Sequence, residues 1–432
     1  MTNNSQQSEL VKVLRPLVIG LLVVALLIIV KIQVERSSSG RWFNARGYEV
    51  LHSFLTNYTP NEDPPIIVLD TSDLNPTPRD PTPNDKLSEI VNALLESGAK
   101  AIAIDINFAT RPDTGARADN DPDFFEFLHA QNKKGAHVFV GVGKFGVKPE
   151  EWLGMDEDKD LAADMTIMDE DTTEVPAWLQ CGENEKLFSI SMALANASGT
   201  HPQPPRWLKG ILGNYDDPEN LQEETQTDSI GNKVLCRRAF TLVNYAKLEL
   251  VQKLSLQALD RASILRAKDV EGNNRFQNKL VLVGPAQRDM APDKYFVLGR
   301  EQNKPVVAGI YLHALAANTL VADPVYKLKQ WFTILLDVAL GLFVVLGLLV
   351  VRLRYRKDKS FSAHRWENRF IWVAVALTLS VGFMLVKFYN VLWLDFLLVI
   401  LALLLHSKVQ FGLAYLPQRL FSTAKTTNEQ RP

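Results

Sequence analysis

Cysteine is nearly missing: only Cys181 and Cys236 occur in 432 residues, and neither a Cys-x-x-Cys nor a His-Glu-x-x-His spacing is present. Redox and zinc chemistry therefore have no ligand pattern to rest on, and no metal site or cofactor is expected. Net charge is also scarce. The 47 basic and 49 acidic residues leave −2, which removes the cationic field on which a nucleic-acid binder depends. A nucleophile elbow, or any coherent set of nucleophile, base and orienting residue, is absent as well, so an enzyme is not expected. With 47% apolar and 22% charged residues, the chain is neither disordered nor collagenous.

The apolar residues are concentrated in runs. The first, residues 17–34, is close to the length a spanning helix needs. A cleavable signal peptide is the rival reading, but no Ala-x-Ala site follows promptly, so an uncleaved anchor is expected. A second run covers 331–351, interrupted only by Thr333 and Asp337. Two more, 370–386 and 391–407, are separated by Lys387, Phe388, Tyr389 and Asn390 and read as a transmembrane hairpin. Lys12 and Arg15 in the N-tail (1–16), seven basic residues against two acidic in the loop 352–369, and Lys408, Arg419, Lys425 and Arg431 in the tail 408–432 all belong on the cytoplasmic side. Residues 35–330 are then extracytoplasmic, in the periplasm or at the cell exterior of a bacterium whose inner membrane holds the helices. This insert has 43 acidic and 32 basic residues, a net −11. Asp337, Lys387 and Asp395 all fall near the outer face, where isolated charges are costly. The expectation is that Lys387 pairs with one of the two carboxylates and clamps the C-terminal helices; independent snorkelling to the headgroups is the alternative.

Within the insert, short β-branched runs alternate with helical stripes. Residues 66–70, 101–105, 136–140 and 279–284 read as strands, while 85–96, about 122–132 and 187–197 read as helices. This order predicts an α/β extracytoplasmic domain with a mostly parallel sheet, plus four transmembrane α-helices, one N-terminal and three C-terminal. Prolines at 76, 78, 81 and 83 make 75–83 a stiff loop. Residues 145–185 and 199–232 read as long, irregular acidic insertions. Their acidic runs at 156–158 and 169–171 lack the spacing of a calcium loop. Gly141, Gly143 and Gly146 match Gly-x-Gly-x-x-Gly after a strand, but Pro149 and an acidic stretch follow where a helix would have to start, which argues against a dinucleotide site. Spacing alone leaves open whether Cys181 and Cys236 are bridged.

Asp70 and Asp105 end two strands read as neighbours, and Asp289 follows the late strand. All three lie on the edge where open α/β sheets place ligands. They read either as a site for a cation or an amine, or as caps that accept loop amides. Arg79, Arg237 and Arg238 could neutralise them, giving an ion network or an anion-recognising pocket. His313, on a helix of small residues, reads as a packed core histidine.

Several stretches carry a family resemblance. Residues 66–70 and 96–108, the segment Leu187 to Ala195, the arginine-bearing strand Val234 to Phe240, the late strand 279–284 with Asp289, and Gly309 to Asn318 follow in order. Together they resemble the CHASE domain of the second type, the extracellular sensory domain associated with cyclases and histidine kinases. One anchor before it and three spans after it are that family's usual plan. The family's tryptophan-proline stretch is reduced here to Asn75-Pro76-Thr77-Pro78-Arg79. The resemblance implies a sensory module binding a ligand or a protein. Only 27 residues follow Leu405, so no catalytic output is expected and the signal would pass to a partner protein, a separate cytoplasmic effector. A structural or scaffolding part of an envelope assembly is the alternative. Membrane lipids are expected partners, nucleic acid is not, and a homo-oligomer is left open.

Overall fold

A computed structural model of the chain describes residues 3–35, 43–44, 46–48, 50–51, 65–74, 83–106, 108, 121–142, 161–165, 174–181, 186–200, 202–204, 206–213, 221–227, 233–243, 245, 248–253, 255–257, 275–286, 294–296, 306–322, 324–354, 362–394 and 396–405. The chain forms two compact units, 55–326 on the one hand and 1–54 with 327–432 on the other. Helix α1 (Asn3–Glu35) belongs to the second unit and is described with it below.

The unit 55–326 is built on six strands. They are β1 (Ile66–Asp70), β2 (Ala101–Ile104), β3 (Val138–Val142) and β4 (Ala162–Asp164), joined late in the chain by β9 (Leu256–Gln257) and β10 (Leu280–Gly284). All five pairings are parallel, in the order β9-β1-β10-β2-β3-β4. Strand β10 therefore separates β1 from β2, which correct the expectation that they are neighbours. The cause lies in its composition: Leu-Val-Leu-Val-Gly is apolar on both faces and fully buried, as a central parallel strand must be.

Side chains alternate between the two faces of this sheet. Ile67, Leu69, Ile102, Ile104, Val281 and Val283 share one core with α2 (Asn84–Glu96) and α3 (Asp121–Lys133). Helix α2 ends at Ser97, followed by Gly98 at φ 77°, a left-handed position that glycine adopts without strain. The other face, with Ile66, Val68, Ala101, Ala103, Leu280 and Leu282, packs against α4 (Ile190–Ser198), α5 (Leu248–Lys253) and α6 (Gly309–Val321). A Cβ on Gly284 would lie 2.6 Å from the Asp105 carbonyl oxygen and 3.2 Å from Ile310 Cδ1.

A four-stranded antiparallel sheet lies beyond α4 and α6. Its strands are β5 (Glu174–Cys181), β6 (Leu187–Phe188), β7 (Gln222–Thr227) and β8 (Lys233–Leu242), in the order β6-β5-β8-β7. Ala177, Trp178 and Ala239 of this sheet pack on Met192 of α4. Helix α6 touches β1 and β10 on one side and β5 and β8 on the other, so every residue from Ile310 to Thr319 is buried. Apolar sequence all the way round a helix follows from that double covering.

These strands correct two expectations. The stretches 145–185 and 199–232 are not irregular throughout, since they hold β4, β5 and β7. The helix expected over 187–197 begins as strand β6, and α4 starts only after Ser189, whose side chain accepts the Met192 amide as an N-cap. Gly141 lies inside β3, where a Cβ would meet the Ile104 carbonyl at 3.1 Å, so sheet packing accounts for it. Gly143 and Gly146 lie outside the described residues.

In the other unit, α1 is accompanied by α7 (Gln330–Arg354), α8 (Ser362–Tyr389) and a shorter apolar helix, α9 (Phe396–Leu405). Residues 17–34, 330–351 and 365–389 are long and apolar enough to cross a membrane. The expected fourth span at 391–407 is helical only from Phe396 to Leu405 among the described residues. Gly341 packs on Val24 and Gly347 on the Phe370 ring, and any side chain at either glycine would collide. Small residues at such crossings let helix backbones approach closely.

Candidate functional site

The carboxyl ends of the parallel strands carry the clearest concentration of polar groups in the unit 55–326. Asp70 closes β1, and its Oδ1 accepts three hydrogen bonds: from the Ser72 amide at 2.9 Å, the Ser72 hydroxyl at 2.5 Å and the Ala286 amide at 2.8 Å. Two turns are joined in this way, the one after β1 and the one after β10. The Thr71 amide also donates to the Gly284 carbonyl, at 3.0 Å. A buried carboxylate satisfied by backbone amides is the capping role weighed above.

Facing this edge from α6 stands Tyr311, whose hydroxyl donates to Ser255 Oγ at 3.3 Å beside β9. Burial pushes the Tyr311 hydroxyl above its ordinary pKa; the Ser255 bond opposes this, and the negative charge of Asp70 adds to it. The phenol is therefore neutral at physiological pH, a hydrogen-bond donor next to a fixed carboxylate. Such an edge can orient a polar ligand through hydroxyl and carboxylate contacts.

The other expected site residues are dispersed. Asp105, half-buried, follows β2 with β10 between it and Asp70, and its amide donates to the Val283 carbonyl at 2.7 Å. Arg237 and Arg238 lie on β8, in the antiparallel sheet. Arg237 is exposed and donates to Glu223 on β7 at 3.0 Å, whereas Arg238 is buried. Arg79 and Asp289 lie outside the described residues. No group of three His, Cys, Asp or Glu residues able to hold a metal occurs among the described residues. His313 is packed, with Nε2 3.2 Å from the Met165 carbonyl and Ser191 Oγ donating to its own carbonyl at 3.0 Å.

Cys181 and Cys236 form a disulfide between directly opposed positions of β5 and β8. In the helical unit, Asp337 pairs with Lys31 of α1. The ion pair seen at Asp337 therefore comes from the first helix, a partner the sequence did not propose. Lys387 itself is exposed at the end of α8, and Asp395 lies outside the described residues. Tyr311, Ser255 and Lys31 were not singled out by the sequence. Tyr311 sits inside the helix that carries His313, and its polar tip among apolar and small residues was the available signal.

A parallel α/β domain whose chain is preceded by one apolar helix and followed by others has the organisation of a membrane-tethered sensory module. The family model of the CHASE2 domain matches residues 18–351, and the chain belongs to that family. No curated protein and no solved structure matches it.

Proposed function

We propose that this chain is a four-span protein of a bacterial inner membrane. In this reading residues 35–330 are exposed to the periplasm, both termini face the cytoplasm, and the exported domain binds a stimulus and signals through a separate partner protein. The observation that carries the reading is the CHASE2 match, which takes in the first apolar helix, the α/β domain and the helix after it. The disulfide supports an oxidising compartment for the domain. The basic segment 352–369 supports a cytoplasmic loop able to dock an acidic partner surface. The strand-end edge with Asp70, Ser255 and Tyr311 is the proposed ligand face, and it performs no chemistry of its own.

Affinity capture of the full chain from intact membranes, followed by mass spectrometry, tests this reading. A kinase, cyclase or other signalling effector supports it, and an envelope assembly without a signalling component contradicts it in favour of scaffolding. Scrambling 352–369 at constant composition should abolish capture of the effector while leaving insertion intact, because lipid attraction depends on charge and not on order. Unchanged capture would remove this loop from the docking role.

A further inference from the structure

Lys31 lies near the end of the first apolar run and Asp337 near the start of the second span. They form an ion pair between α1 and α7 in which the side chains are only 7% and 6% exposed. In the chain, α1 precedes the unit 55–326 and α7 follows it. The pair therefore joins the two helices that bracket the sensory domain in sequence, across 306 positions.

The same seam continues deeper. Val24, about two turns before Lys31, meets Gly341, about one turn beyond Asp337, and a Cβ on Gly341 would fall 2.5 Å from Val24 Cγ1. Apolar helices in lipid gain little from any one register, because lipid tails cover them as well as a neighbouring helix does. An intramembrane charge is different, since it is costly wherever its counter-charge is out of reach. The glycine allows close approach, and the ion pair decides which turn faces which. Next to the pair lies a small cavity of about 40 Å³, bordered by Val399, Ala402 and Leu403 of α9.

We propose that the Lys31–Asp337 pair is a latch fixing the register of α1 against α7, which a stimulus that slides one helix along the other has to break. Its purpose rests on the sensory reading; its existence does not.

The test is cysteine cross-linking of the full chain in native membranes. With Val24→Cys and Gly341→Cys the two Cβ atoms stand about 3.4 Å apart, close to the spacing a disulfide requires, so oxidation should join them readily. Adding Lys31→Met or Asp337→Asn should slow the cross-link roughly tenfold, since one buried charge is then left without its partner. The exchanged pair, Lys31→Asp with Asp337→Lys, should restore the rate to within about twofold, as expected of a direct pairwise coupling. Equal rates in the parent and both single variants would overturn the latch. So would an exchanged pair that stays slow while the Cys181–Cys236 bond, read on the same gel, still forms. No stimulus enters this measurement, so the latch and the sensory reading fail separately.

Discussion

The two units solve opposite burial problems. Among the described residues, the large hydrophobics exposed in 55–326 are Phe188, Trp207 and Leu235, whereas the helical unit exposes Leu22, Val350, Trp372, Phe388 and many others, at 57% to 69% for Leu22, Leu26, Ile29, Val350, Trp372 and Phe388. An apolar exterior on that scale marks a surface solvated by lipid rather than water. Polar groups invert in the same way. In the α/β unit, Asp70 is buried and held by amides and a hydroxyl, and Arg237 meets Glu223 in the open. In the helical unit, a buried lysine answers a buried aspartate. The lesson is that the buried carboxylate Asp70 ties together two turns of the α/β unit, whereas the buried pair of the helical unit joins two helices.

The largest expected break in this comparison is at that ion pair. Lys31→Met alone should destabilise the detergent-solubilised chain by about 3–5 kcal/mol, the cost of an uncompensated buried charge, while Lys31→Met with Asp337→Leu should lie close to the parent. Thermal unfolding of both variants checks it; a single variant as stable as the parent would place the pair in contact with water.

Next in size is the disulfide, which closes a separation of 55 residues. Cys181→Ala with Cys236→Ala should cost the α/β unit about 2–4 kcal/mol, measured by proteolysis of that unit. Asp70→Ala comes third. It removes the acceptor that Asp70 offers the Ser72 amide and leaves the Ala286 amide only its longer bond, to Ser72 Oγ at 3.2 Å, at about 1–3 kcal/mol for weakening buried hydrogen bonding, and it should loosen the strand-end edge before the rest of the sheet in hydrogen exchange.

The smallest effect concerns pH. Burial raises the pKa of both Tyr245 and Tyr311 above 10.0. Their neutral forms are favoured in the folded state, so this contribution is fully present below about pH 10 and is lost as pH rises further, once unfolded tyrosines release protons that the folded chain retains. Tyr245→Phe should keep stability at pH 7 within about 1 kcal/mol and flatten the decline above pH 10. An unchanged decline would assign it to other groups.

The legibility of the sequence follows the same division. Strands β1, β2 and β10 are short continuous apolar runs and stand out, as do the long lipid-facing runs. Strand β5 was hidden because Pro176 interrupts it, and the register shifts between Pro176 and Trp178, breaking the alternation that marks a strand. Strand β7, Gln-Glu-Glu-Thr-Gln-Thr, contains no apolar residue and is held at the sheet edge by β8 alone. The insertion of β10 between β1 and β2 is a matter of tertiary pairing that local pattern does not encode, and it is why Asp70 and Asp105 are not neighbours. Lys31 read as an interruption in an apolar run because its partner is 306 positions away. For the strand-end edge, Asp70 was legible from its place after a strand, but Tyr311 and Ser255 reach it from other elements and leave no linear signature.

The proposed export of one unit and membrane embedding of the other is tested most directly by topology reporters on the full chain. A fusion at Asn220 should be active only as an exported reporter, and one after Lys359 only as a cytoplasmic reporter, in keeping with the basic charge of 352–369. A cytoplasmic signal at Asn220 would contradict the account, because the acidic α/β domain would then lie on the wrong side of the membrane for a sensor of external conditions.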